Sequence, residues 1–143
     1  MSLFFINIGG QEMFLLLIPS LLFLVPFILY LRSLHSTFSA ISIENRQMDS
    51  GKVWLLLIPI FGIVWHFVVV RDLTESIRNE AISKGIPLKE TRPAYHIGFA
   101  MCVLSCLIFL PWVGVAVLVC WIIYWVKIVE YKNLLIDRAL NIL

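Results

Sequence analysis

Charge is scarce in this chain, and the stretches that lack it are the informative ones. Of 143 residues only 14% are Asp, Glu, Lys or Arg and 61% are hydrophobic, against roughly 25% and 45–50% in soluble globular chains. Three runs, residues 13–31, 53–70 and 97–126, hold no Asp, Glu, Lys or Arg at all. An ionisable side chain at membrane depth is the usual mark of an ion pathway or proton relay, so these runs argue against conduction. His66 is the exception, a neutral-pH titrating ring between Trp65 and Phe67. It reads more simply as a packed or interfacial residue than as a site.

Other absences exclude chemistry. Three cysteines are an odd number and build no disulfide framework. Cys102 and Cys106, four apart, share a helix face, but a zinc site needs about four ligands at characteristic spacing, and small packing thiols fit better. There is no Gly-rich phosphate loop, no pair of catalytic carboxylates and no Ser, His and Asp set at recognisable spacing. The expectation is a protein that is not an enzyme, with no cofactor, no catalytic residue, no metal site and no nucleic-acid partner. The start, MSLFFINIGGQE, lacks a basic n-region and a small-residue cleavage site, so the first apolar run is expected to be retained.

What is present is apolar length. About 20 residues at about 1.5 Å each cross a hydrocarbon core of about 30 Å. Residues 13–31 are therefore expected to form a transmembrane helix. Residues 53–70 are broken by Pro59 and Gly62, which leaves two arms too short to cross. Proline removes a backbone donor and glycine permits a positive φ. This run is expected to be a re-entrant hairpin, with a single kinked span as the alternative. Pro111 and Gly114 repeat the spacing inside residues 97–126, a run of 30 that reads as a helical hairpin with its tip toward the far leaflet.

The placement of the basic residues bears on the same choice. All eleven Lys and Arg fall at 32–52, 71–92 and 127–138, and short cytoplasmic loops concentrate such residues. A re-entrant 53–70 run places all eleven on one side; single spans split them eight against three. Residues 71–84 carry Leu73, Ile77 and Ala81 as one stripe, with Glu80 four before Lys84, and are expected to form an interfacial helix ended by Gly85 and Pro87, or equally a solvated face that continues the preceding helix. Residues 127–143 read as an interfacial tail helix. Trp54 and Tyr131, beside Lys52 and Lys132, are the expected headgroup anchors.

The combination SGKVWLLLIPIFGIVWHFVVVRDLTESIRNE with PWVGVAVLVCWIIYWVKIVEYKN resembles a group of small bacterial membrane proteins of unknown function, over about residues 50–133. The resemblance implies the bacterial inner membrane and supplies no site residue. The expected architecture is an all-α integral membrane protein in a single membrane domain, one transmembrane helix plus two Pro-x-x-Gly hairpins with surface amphipathic helices. A four-span helical bundle is the alternative. A multi-pass chain with a cytoplasmic C-terminus follows from the basic stretches. Non-helical backbone buried in lipid needs protein cover, so the expected partners besides the lipid bilayer are other membrane subunits or copies of itself, with Gly62, Gly98 and Gly114 allowing close approach. The expected role is a small accessory or structural subunit of a membrane complex. A homo-oligomeric channel or transporter using His66 and a membrane-shaping hairpin protein are the alternatives.

Overall fold

The computed structural model describes residues 10–107 and 112–141. Among them every element is helical and no strand occurs. In chain order they are α1 (Gly10–Ala40), a 3-10 helix (Ser50–Leu57), α2 (Phe61–Ser83), α3 (Tyr95–Cys106) and α4 (Val113–Asn141). Two helices, Glu12–Ala40 and Val113–Asn141, are long and apolar enough to cross a membrane. The chain divides between Tyr30 and Leu31 into two compact units.

In the first unit, α1 continues through Pro19 and Pro26. Proline is tolerated in apolar helices because neighbouring groups and local adjustment re-satisfy the freed backbone. The side chains point outward on more than one face: Phe14, Leu15, Leu22 and Val25 are 59–76% exposed. A helix apolar all round is made for burial in something other than water.

The second unit is built from periodic stripes. Leu31, Leu34, Phe38 and Ile41 recur every three or four positions, as do Leu73, Ile77 and Ala81 on α2, and Tyr124, Ile128, Tyr131 and Leu135 on α4; nearly all are fully buried. That spacing places each set on one helix face. The 3-10 helix obeys its own period. Val53 and Leu56, three apart, eclipse on one face and are its buried pair. Asp49 starts it by accepting the Gly51 N–H at 3.2 Å. The 3-10 helix and α3 pack on α2, and α4 packs on α3.

Of the two readings of residues 71–84, the continuation of the preceding helix is the one found. Residues 61–70 and 71–83 form one helix, α2, because nothing at Arg71 interrupts the backbone ladder. The Leu73, Ile77 and Ala81 stripe is covered by this chain's own core, rather than by a membrane surface. Likewise α4 runs unbroken from Val113 past Lys127 into the tail. A change from apolar to charged composition alters a helix's surroundings without ending it.

Candidate functional site

The reversal before α2 is tighter than a proline–glycine kink. The Phe61 N–H donates to the Pro59 carbonyl at 2.7 Å, and Ile60 between them sits at φ 65, ψ −57. This is a γ-turn of the strained hand, with a β-branched residue at positive φ. Gly62 was expected to take the positive φ; Ile60 takes it instead. Gly62 serves another purpose: a Cβ there would lie 2.5 Å from the Leu56 carbonyl oxygen. The missing side chain lets α2 fold back against the 3-10 helix. Farther along, Trp65 Nε1 donates to the Lys52 carbonyl at 3.0 Å, pinning the two arms together.

Gly98 fills the same kind of role inside the chain. Its Cβ would stand 2.6 Å from the Tyr124 ring and 2.7 Å from Val70, so α2, α3 and α4 meet at this one residue. Gly114 has open space around it. Two of the three glycines expected to admit a neighbouring subunit are thus occupied by this chain's own packing. Pro111 lies outside the described residues.

The polar centre of the second unit is Glu80, whose side chain is fully buried. Its carboxylate accepts from the Ser42 hydroxyl at 2.9 Å, the Ser42 N–H at 3.2 Å and Asn45 Nδ2 at 2.7 Å, and pairs with Lys84 Nζ at 2.6 Å. Burial pushes this carboxyl up, but the donors from Lys84, Asn45 and Ser42 outweigh it and hold the group below the usual carboxylate range. Beside it the Gln47 N–H donates to Ser76 Oγ at 2.9 Å, and Asn45 Nδ2 also reaches Ser83 Oγ at 2.9 Å. The 42–47 loop is stitched to the C-terminal half of α2.

A second charged group gathers where the segment after α2 meets α4. Lys127 hydrogen-bonds Glu90, whose carboxyl is held below its ordinary range chiefly by that ammonium. Glu90 also accepts the Ala94 N–H at 3.2 Å, which supports the left-handed Ala94 that starts α3. Lys89 and Glu130 stand 3.7 Å apart, both exposed. These four side chains, with Tyr131 and Arg138, line a cleft of about 430 Å³.

His66 lies half-buried on α2. His35 contacts the Ser50 carbonyl through Nδ1 at 3.0 Å, and the T-shaped ring of Tyr95 lies beside His96. Cys102 is buried, Cys106 exposed and Cys120 half-buried, all as free thiols. Among the described residues no group of three or more His, Cys, Asp or Glu side chains gathers as a metal site.

Glu80 pairs with Lys84 as their spacing of four implies, but its burial and the pairing of Glu90 with Lys127 went unread in the sequence. Glu80 is seven residues after Leu73 and three after Ile77, which puts it on the buried face of α2, and that spacing was signal enough. The pairing of Glu90 with Lys127 carried no local signal, since 37 residues separate them. Compared with known protein families, curated proteins and solved structures, the chain matches none.

Proposed function

We propose that the chain is a small structural subunit of a bacterial inner-membrane assembly, with α1 crossing the bilayer and two helical hairpins entering it from the cytoplasmic side. The carrying observation is the Glu80 knot. Through it the loop that contains Arg46 is bonded to the part of α2 that contains Arg78. Two stretches joined by hydrogen bonds share one side of a membrane, so the apolar residues between them go in and come back.

Depth supports the same reading. Gly98, Val70 and Tyr124 meet at one level. From there α2 has nine residues back to its start and α4 eleven, about 14 Å and about 17 Å of helix. Neither reaches the roughly 30 Å of a hydrocarbon core. The charged residues Arg71, Asp72 and Lys127 follow immediately beyond that level. Below it the exposed side chains are apolar, Ile60, Val64, Trp112 and Val115 among them at 65–86% exposure.

A scaffold role follows from what the hairpins offer. They present apolar surface with no Asp, Glu, Lys or Arg at depth, which suits packing against protein and lipid rather than moving a solute. The apolar faces of α1 are the surface by which larger subunits, or further copies of this chain, would be engaged.

Cysteine labelling tests the topology. In a background with the three native cysteines replaced by serine, Glu44→Cys and Ile82→Cys are expected to react with a membrane-impermeant maleimide only from the cytoplasmic side, and Glu12→Cys only from the other. Reaction of positions 44 and 82 from opposite sides would remove the re-entrant arrangement. Purification in mild detergent tests the role: larger proteins or further copies should accompany the chain, and a stable, monodisperse monomer would count against a subunit.

A further inference from the structure

The cleft between the 87–90 segment and α4 sits where a phospholipid headgroup would lie. The close run of exposed apolar side chains on α4 stops at Ile122, Ile123 and Val126, with only Ile136 and Leu140 exposed farther along, and Lys127 opens the cleft on the residue after Val126. The cleft therefore begins at the hydrocarbon boundary set by the membrane reading above, on which this inference rests, and runs about 16 Å along α4 away from it. Lys127, Tyr131, Leu134 and Arg138 recur at spacings of four, three and four, so one face of α4 forms its wall.

The charges in the cleft are of both signs and are not all committed. Lys127 is engaged by Glu90. Lys89 and Glu130 are joined only by a loose contact at 3.7 Å, with side chains 88% and 66% exposed, and such pairs are readily exchanged for better partners. Arg138 is exposed, and no carboxylate among the described residues pairs with it. Two cations and one carboxylate around an apolar Leu134 floor complement a phosphodiester with an ammonium close beside it.

We propose that this cleft binds the headgroup of an aminophospholipid. The phosphodiester lies between Lys89 and Arg138, whose guanidinium presents a planar pair of donors suited to phosphate oxygens. The primary ammonium donates to Glu130, and the glycerol end rests on Leu134 and Tyr131.

Calorimetric titration of the detergent-solubilised full chain with dihexanoyl phosphatidylethanolamine and dihexanoyl phosphatidylcholine tests the assignment. The two share the phosphodiester, but the trimethylated amine of the second has no N–H to donate. The ethanolamine lipid is expected to bind about tenfold more tightly, the scale of one charge-assisted hydrogen bond. Glu130→Gln should erase that preference, and Arg138→Gln should weaken both lipids about tenfold. Equal affinity for the two lipids, a preference that survives Glu130→Gln, or competition by inorganic phosphate at the lipid's own concentration would each overturn the proposal. Unchanged melting temperatures of both variants show that the fold is intact. Flotation with vesicles separates the two levels of inference: a chain that fails to float loses the membrane reading, and one that floats yet discriminates no headgroup loses only this site.

Discussion

Asn45 Nδ2 donates to Glu80 Oε2 at 2.7 Å across 35 residues of sequence, and Ser42 and Lys84 complete the ring of donors around that buried carboxylate. Removing the acceptor takes the shared partner from all of these donors and leaves only Asn45 Nδ2 with another, Ser83 Oγ. Glu80→Ala is expected to cost about 3 kcal/mol, the scale of breaking a buried ion pair from one side. Glu80→Gln should cost nearly as much, because its NH₂ points a donor at a place already crowded with donors. Thermal unfolding in detergent checks both; a melting temperature unchanged in Glu80→Gln would show that the ring contributes little.

The same carboxylate sets a pH dependence with a definite sign. Glu80 and Glu90 are both held below the usual carboxylate range in the folded chain. A depressed folded value means that the unfolded chain takes up protons first as pH falls. Stability from these groups is therefore complete above about pH 5 and is lost as pH drops through about 4 and below, where the unfolded-state value of about 4.3 is passed. The melting temperature should be flat from neutrality to about pH 5 and fall beneath it. The fall should be shallower in Glu80→Gln, which has no carboxyl left to protonate at that position.

The contrast between these residues explains what was legible beforehand. The apolar helices were readable from the length of their uncharged runs, and the stripe of Leu73, Ile77 and Ala81 is buried as its spacing implies. The break at Pro59 was readable because proline and glycine carry their conformational limits with them. The extent of α4 was not, since Lys127 marks a change of surroundings that the backbone ignores. Nor were the loop partners of Glu80, because Ser42 and Asn45 are ordinary loop residues until the chain folds. For the same reason the cleft at Lys89 and Arg138 has no sequence signature.

Gly98 and Gly114 look alike in sequence and differ in surroundings. A Cβ at position 98 would press on Tyr124 and Val70 at 2.6–2.7 Å, while at position 114 it meets nothing. Gly98→Ala is expected to destabilise by about 1–3 kcal/mol through overpacking. Gly114→Ala should stabilise by up to about 1 kcal/mol, because alanine holds a helix better than glycine where space allows. Opposite shifts in melting temperature are the outcome to look for, and parallel shifts would contradict the three-helix contact at Gly98.

Ile60 and Gly62 make the sharpest case, because both positions call for glycine, one by its backbone angle and one by its lack of space, and only one has it. Ile60 lies at positive φ, where a β-branched side chain is strained and glycine is not. Its side chain is 83% exposed, so removing it gives up little packing within the chain. Ile60→Gly is therefore expected to stabilise the detergent-solubilised chain by about 1 kcal/mol, offset in part by the extra freedom that glycine gives the unfolded state. Gly62→Ala should do the reverse, because its Cβ would strike the Leu56 carbonyl at 2.5 Å and a carbonyl in a packed helix cannot swing aside as a side chain can. Melting curves of the two single variants and the double variant decide the matter. A stabilising Gly62→Ala would mean that the 3-10 helix and α2 do not approach each other as closely as this turn requires.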